Sequence, residues 1–171
     1  MCKKESYVVS AAIVMAIAAM MFFPATGTAG DPWSTKLPAA ERFVVLADFN
    51  NEAVLDKETG LVWEKSPSGS RYGWSERCAD LAVANRKGWH VPTIEQMMSL
   101  VDPSVVTGVT LPDGHPFTNV MPSQYWSSTT VAEAPGDAWG MSFYNGGVNK
   151  IDKTANAFTW CVRGGMTYDA H

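Results

Sequence analysis

The sequence has few of the residues that carry enzyme chemistry. Only three of its 171 residues are histidine and only three are cysteine. His90 and His115 are candidate bases, and Ser127, Ser128 and Ser142 are possible nucleophiles. Nothing places a base next to a nucleophile, and neither a Gly-x-Ser-x-Gly elbow nor a His-Glu-x-x-His helix occurs. We therefore predict a protein that is not an enzyme.

Metal-binding patterns are absent as well. The few cysteines and histidines form no recognisable zinc set. Calcium needs six to eight oxygen ligands, and no cluster of carboxylates would supply them. The Glu-Pro-Asn, Gln-Pro-Asp and Trp-Asn-Asp motifs of calcium-dependent lectins do not occur. We predict no metal and no cofactor.

One long apolar run lies near the N-terminus. It follows two lysines, extends over residues 8–23 and leads into small residues, which is typical of a secretory signal cleaved after Ala29 or Gly30. An uncleaved membrane anchor is the alternative, but a spanning helix needs about 20 apolar residues. We predict a signal peptide over residues 1–29, no membrane insertion after its removal, and a periplasmic or extracellular location.

Positive charge is scarce in the mature chain. Loss of the signal lowers Lys+Arg from 13 to 11 and Asp+Glu from 17 to 16, which leaves a net charge of −5. Affinity for nucleic acid, anionic lipid and highly sulfated polymers comes largely from cations that neutralise phosphate or sulfate. The composition therefore disfavours all three as generic partners, and we predict no nucleic-acid binding.

Signal removal also removes Cys2 and leaves Cys78 and Cys161. An even number of cysteines in an oxidising compartment favours a disulfide. A bond across so long a loop would stabilise the fold by about 4 to 5 kcal/mol in the chain-entropy description. Two buried free thiols are the alternative.

Roughly 140 residues remain, enough for one hydrophobic core and too few for two domains. Residues 30–42 contain prolines and show no periodicity, which is typical of a linker. We predict a single domain over residues 43–165 and a tail over residues 166–171.

The order of elements predicts the fold class. Strand-like runs before residue 65 include a hairpin around a polar turn that ends in Gly60. Two helices are expected next, the first capped by Ser75 with Cys78 on its apolar face, and the second beginning at Thr93 with a capping box. Four strand-like runs follow residue 124. Strands, two helices, a long loop and a β meander make an α+β domain with segregated helices.

Residues 104–124 form the predicted long loop, since they show no clear period and contain several turn signals. Long loops in compact domains are usually functional or mobile. Asp113 and His115 could supply hydrogen bonds there, and Phe117 an apolar platform. The alternative is an ordinary turn with Phe117 attached to the core.

Tryptophan is frequent, with seven among 171 residues. Four tryptophans lie in strand-like runs and are expected in the core, where aromatic side chains bury the most area: Trp63, Trp126, Trp139 and Trp160. Trp74 and Trp89 lie at element boundaries beside glycines. An exposed face of either could stack on a sugar ring, and burial is the alternative.

Several segments in a fixed order resemble one known family. No single segment is specific, but the ordered set is. The segments are residues 59–63 (TGLVW), Cys78 with Leu81, residues 88–93 (GWHVPT), residues 125–129 (YWSST) and residues 161–164 (CVRG). Over residues 43–164 they resemble the C-terminal domain family of the Legionella collagen-like protein, the Lcl C-terminal domain.

The resemblance implies a C-type-lectin-like fold, related to the formylglycine-generating-enzyme scaffold, and a disulfide between Cys78 and Cys161. Family members are exported or surface proteins, and the best-known member binds sulfated polysaccharides as an adhesin. This chain lacks a collagen-like repeat, has His90 where the family usually has arginine, and is acidic. The resemblance is therefore a poor guide to the ligand of this chain.

Together these observations predict an exported, non-catalytic module that binds a polysaccharide or a surface protein through the loop and neighbouring aromatics. The candidate ligand-binding residues are Trp74, Trp89, His90, Asp113, His115 and Phe117. One alternative is a structural subunit of a cell-envelope assembly, with its aromatics in an oligomer interface. The other is an enzyme on a formylglycine-enzyme-like scaffold.

Overall fold

The computed structural model describes residues 36–165, so the predicted signal peptide and tail lie outside the described residues. Within that range the chain forms two α-helices, a 3-10 turn and nine strands. In chain order they are α1 (Ala39–Arg42), β1 (Phe43–Val45), the 3-10 turn (Ala47–Phe49), β2 (Ala53–Asp56), β3 (Val62–Glu64), β4 (Arg71–Tyr72), α2 (Ile94–Met98), β5 (Gln124–Val131), β6 (Ala134–Ser142), β7 (Gly147–Asp152), β8 (Ala157–Phe158) and β9 (Val162–Arg163).

The first sheet has the strand order β1-β2-β3-β9, and all its pairs are antiparallel. The predicted hairpin is confirmed, because β2 and β3 pair with Val54 opposite Trp63. Its turn closes when the amide of Gly60 donates to the Asp56 carbonyl at 2.8 Å. Gly60 has a φ of 70°, which explains why glycine ends this turn.

The second sheet has the order β4-β8-β5-β6-β7, with β8 parallel to β5 and the other pairs antiparallel. The last of the four predicted strand-like runs, residues 158–163, is not one strand but is divided between the two sheets. β8 belongs to the second sheet and β9 to the first, and Cys161 lies between them. This segment therefore joins the two sheets.

The second predicted helix is confirmed as α2, which is only five residues long. The Thr93 hydroxyl accepts from the Gln96 amide at 3.2 Å, and the Gln96 side chain accepts from the Thr93 amide at 3.0 Å. These two bonds form the expected capping box. Among the described residues no helix is long and apolar enough to cross a membrane.

The first predicted helix is wrong, because residues 74–80 form consecutive turns. Ser75 has a φ of 64°, in the left-handed region, whereas an N-cap residue has an extended backbone. The segment is held instead by long-range contacts of Trp74, Arg77 and Cys78. Such tertiary contacts outweigh a short helical pattern.

Helix α1 lies in the segment predicted as a linker, and it ends in a buried arginine. Arg42 is 2% exposed and makes two 2.8 Å hydrogen bonds to the carboxylate of Asp56. Its Nη1 also lies 3.1 Å from Glu58, and its Nη2 donates to the Ser99 carbonyl at 2.7 Å. Residues from α1 onward therefore belong to the packed structure.

The buried side chains form two clusters. The first contains Trp63 and Trp160, whose ring centroids are 5.5 Å apart, and the second contains Trp126 with both cysteines. The expected burial of these three tryptophans is confirmed, and Trp139 is half-buried. The domain is thus α+β, with two short helices and mostly antiparallel sheets.

Candidate functional site

The long loop lies between α2 and β5, as predicted for residues 104–124, and it is attached to the core at fixed points. Thr110 donates from both its amide and its hydroxyl to the Phe143 carbonyl, at 2.9 and 3.1 Å. Leu111 and Phe117 are buried in the first cluster. The loop therefore has a fixed framework, and its exposed parts are residues 103–104, 106–108, 113–114, 118–119 and 121–122.

One exposed part of the loop is a turn centred on Asp113. The amide of His115 donates to the Pro112 carbonyl at 3.2 Å, and Gly114 has a φ of 79°. Asp113 is exposed and His115 is half-buried. The turn alternative is thus confirmed, and the turn presents a carboxylate and an imidazole at the surface.

The surroundings of His115 favour its neutral form. Its ring centroid lies 5.9 Å from that of Phe117. Burial lowers the pKa of His115, and the negative charge of Asp113 acts in the opposite direction. Its Nδ1 is buried without a hydrogen-bond partner in the described part of the chain. At neutral pH the imidazole is therefore an uncharged hydrogen-bonding group.

Phe117 is not an exposed platform, which corrects the expectation that it contacts a ligand. It is 5% exposed. Its ring packs edge-on against Trp160 at 4.9 Å and Phe43 at 5.1 Å between centroids. Phe117 instead attaches the loop to the core.

Trp74 is half-buried, with its indole held in place. The indole nitrogen donates to the Ser127 carbonyl at 2.9 Å. The ammonium of Lys153 lies 4.1 Å from the ring centroid and donates to the Thr130 hydroxyl at 2.9 Å. A cation therefore occupies one approach to this ring.

Trp89 is buried in the second cluster with 3% of its surface exposed, so an exposed sugar-stacking face at this position is ruled out. Its indole nitrogen donates to the Arg86 carbonyl at 2.9 Å. The neighbouring His90 pairs through its backbone with Val162. Burial lowers the pKa of His90, and a hydrogen bond that its imidazole donates to the backbone of Gly88 acts in the opposite direction.

The six candidate residues do not form one surface. Phe117 belongs to the first cluster, whereas Trp89 belongs to the second, with Trp74 packed against it. Within residues 36–165 no hydrogen bond or ring contact joins the Asp113 turn to either tryptophan. The structure therefore brings together the loop candidates alone.

The predicted disulfide is confirmed. Cys78 and Cys161 are bonded, with Cα atoms 5.5 Å apart, and both are buried. Sequence reasoning missed the neighbouring Arg77, whose Nη1 donates to the Cys161 sulfur at 3.1 Å and to Glu64 at 2.7 Å. The only indication of Arg77 in the sequence was its position next to Cys78.

The family model of the Lcl C-terminal domain matches residues 52–163 of the chain. The chain belongs to this family. The matched part of this Lcl C-terminal domain includes both bonded cysteines, the whole loop and the second sheet. No curated protein matches the chain.

The Ser127 hydroxyl of this Lcl C-terminal domain is engaged with backbone groups. The Ser127 hydroxyl is buried, donates to the Trp139 carbonyl at 2.6 Å and accepts from the Thr129 amide at 3.2 Å. In the described residues neither His90 nor His115 has a hydrogen bond to a serine hydroxyl. In the described residues these two histidines are therefore not hydrogen-bonded to a serine that they could activate.

A surface cleft of about 400 Å³ lies beside β3, at a place that the sequence did not indicate. Its lining includes Glu52, Glu64, Leu81 and Thr118. The Glu64 carboxylate is already paired with Arg77 and supplies no free charge. Across residues 36–165 no three His, Cys, Asp or Glu side chains are grouped closely enough to hold a metal.

Proposed function

We propose that this Lcl C-terminal domain is an exported, non-catalytic module that binds a polysaccharide or a surface protein with the loop of residues 104–124. One observation carries the proposal: the exposed Asp113–His115 turn stands on a buried framework. A loop ordered before binding loses less conformational entropy in the complex. Because this loss is small, polar groups at fixed positions in the turn can recognise a ligand.

The polar groups of the turn suit a neutral polysaccharide. A carboxylate accepts hydrogen bonds from sugar hydroxyls, and an uncharged imidazole can donate or accept them. The net negative charge of the mature chain works against polyanions over most of its surface. We therefore expect Asp113 and His115 to contact a neutral glycan.

A binding role is also favoured over catalysis. Cys78 and Cys161 are bonded to each other, so neither is a nucleophilic thiol. The hydroxyl of Ser127 is engaged with backbone groups. A scaffold of two sheets and one long loop, with a disulfide that ties the turns of residues 74–80 to the segment between β8 and β9, supports the C-type-lectin-like fold that we infer from the family.

Two substitutions test the loop against a panel of neutral, uronate-containing and sulfated polysaccharides. Asp113→Ala and His115→Ala should each weaken binding to a neutral glycan about tenfold, as expected for a lost hydrogen bond to a buried ligand group. Asp80→Ala is the matched control, because Asp80 is also exposed but lies outside the loop. Unchanged affinity in both loop variants would refute the loop as the binding surface.

The alternative, a structural subunit of an envelope assembly, makes a different prediction. A subunit should associate with itself or a partner, whereas a lectin-like module can act as a monomer. Sedimentation at micromolar concentration separates the two. A strict monomer that binds glycan supports the proposal, and a stable oligomer without glycan binding supports the subunit.

A further inference from the structure

Two arginines converge on the ring of Phe49, far in sequence from both. The Cζ atoms of Arg86 and Arg163 lie 4.5 and 5.8 Å from its centroid. Phe49 itself is 7% exposed and packs edge-on against Trp89. Both arginines are half-buried, and Lys87 beside them is exposed. The acidic chain thus has two guanidinium groups over one ring, and a third cation, Lys87, follows Arg86 in the sequence.

Neither arginine of this surface is neutralised. Among residues 36–165 no carboxylate lies within 4.0 Å of Arg86 or Arg163, and Arg86 donates only to the backbone carbonyl of Asp48. Arg42 and Arg77 differ from them, since each is paired with a carboxylate.

The backbone keeps this arrangement in place. Arg163 lies in β9, which is paired with β3, and its Nε approaches the turn at Gly88. Gly88 has a φ of 88°, which other residues rarely adopt. Two like charges held near one ring repel each other, and an added carboxylate would relieve that repulsion. Guanidinium groups bind planar carboxylates through paired hydrogen bonds.

We propose that Arg86 and Arg163, with Lys87, form a binding site for the carboxylates of an acidic protein segment. A peptide is favoured over an acidic sugar because the two described aromatic rings at this site leave no face for a sugar ring to stack on. The side chains of Phe49 and Trp89 are both buried. This site is separate from the loop turn and does not depend on the loop's role.

The test uses the disulfide-bonded protein and a fluorescein-labelled hexaglutamate peptide, followed by fluorescence anisotropy at low salt. The double substitution Arg86→Gln with Arg163→Gln should weaken binding about tenfold or more. Arg71→Gln is the matched control, because Arg71 also lies over a ring, that of Phe158 at 5.3 Å, but without a second arginine. It should change the affinity by less than about twofold.

The wild-type protein supplies a readout that needs no variant. In nuclear magnetic resonance titrations with hexaglutamate, the Nε–Hε signals of Arg86 and Arg163 should shift and that of Arg71 should not. Absence of binding at low salt, an equal loss in Arg71→Gln, or shifts of all three signals alike would overturn the proposal. Tighter binding of polygalacturonate at equal carboxylate concentration would overturn the choice of a peptide ligand.

Discussion

Arg77 donates a hydrogen bond to the sulfur of Cys161, 3.1 Å from its Nη1, while the same guanidinium is paired with Glu64. The disulfide and the ion pair therefore meet at one point, between β3 and the segment that precedes β9. Both attach the turns of residues 74–80 to the sheets. These turns have no regular secondary structure of their own, so their position depends on these two contacts and on the hydrogen bond of Trp74 to Ser127.

Removal of the disulfide should lower the free energy of unfolding by about 4 to 5 kcal/mol at 25 °C, because the bond closes a loop with a sequence separation of 83. The double substitution Cys78→Ala with Cys161→Ala tests this in urea unfolding. Asp80→Ala is the control, since Asp80 is exposed in the same turns. A loss below about 1 kcal/mol would contradict an entropic contribution of this size.

The Arg77–Glu64 pair should behave as a buried ion pair in a double-mutant cycle. Their side chains are 13% and 9% exposed. Arg77→Met alone leaves the Glu64 carboxylate without its partner and should cost about 3 to 5 kcal/mol. Adding Glu64→Gln removes the stranded charge, so the double variant should be more stable than Arg77→Met. A double variant less stable than Arg77→Met would contradict the ion pair, because it would show that Glu64 stabilises the fold without Arg77.

The sequence was sufficient where local patterns decide the structure. The hairpin closed by Gly60 and the capping box at Thr93 both rest on residues within four positions of each other, and both are present. The helix expected after Ser75 is absent because three long-range contacts determine that segment. No local pattern encodes a bond across 83 residues, so this region could not be predicted from periodicity.

Only the part of the candidate site that rests on a local pattern could be predicted from the sequence. The turn at Asp113 follows from Pro-Asp-Gly chemistry and is present. Burial of Trp89 depends on Phe49, forty residues earlier in the chain, which packs against it. The arginine pair at Phe49 likewise joins residues from three segments. Spatial clusters of this kind have no signature in a single sequence.

Substitutions at the buried and the exposed residues of the loop should have different effects on the stability of the fold. Phe117→Ala should destabilise the fold by about 3 to 5 kcal/mol, because it removes a buried ring from the first cluster. Asp113→Ala, four residues earlier and exposed, should change stability by less than about 0.5 kcal/mol. Thermal unfolding measures both. Equal effects would mean that the turn is part of the core rather than a surface.

Two half-buried histidines should make the fold sensitive to mild acid. Burial lowers the pKa of His90 and His115 in the folded protein. The unfolded chain takes up these protons near pH 6.5, so it binds more protons than the folded state below that pH. The contribution of the two histidines to the free energy of unfolding is therefore fully present above pH 6.5. It is lost as the pH falls through 6.5 toward the pKa values of the folded protein. Each histidine contributes at most about 1.4 kcal/mol per pH unit.

Urea unfolding at pH 7.5, 6.5 and 5.5 measures this dependence. His90→Gln and His115→Gln should each flatten the decline, and the double variant should remove most of it above pH 5. His171→Gln is the control, because it removes the third histidine, which lies outside the described residues. The carboxylate of Asp102 does not interfere: hydrogen bonds from Lys36 and Ser104 lower its pKa to about 2, so its contribution is lost only in stronger acid. An unchanged decline in the double variant would assign the acid sensitivity to other groups.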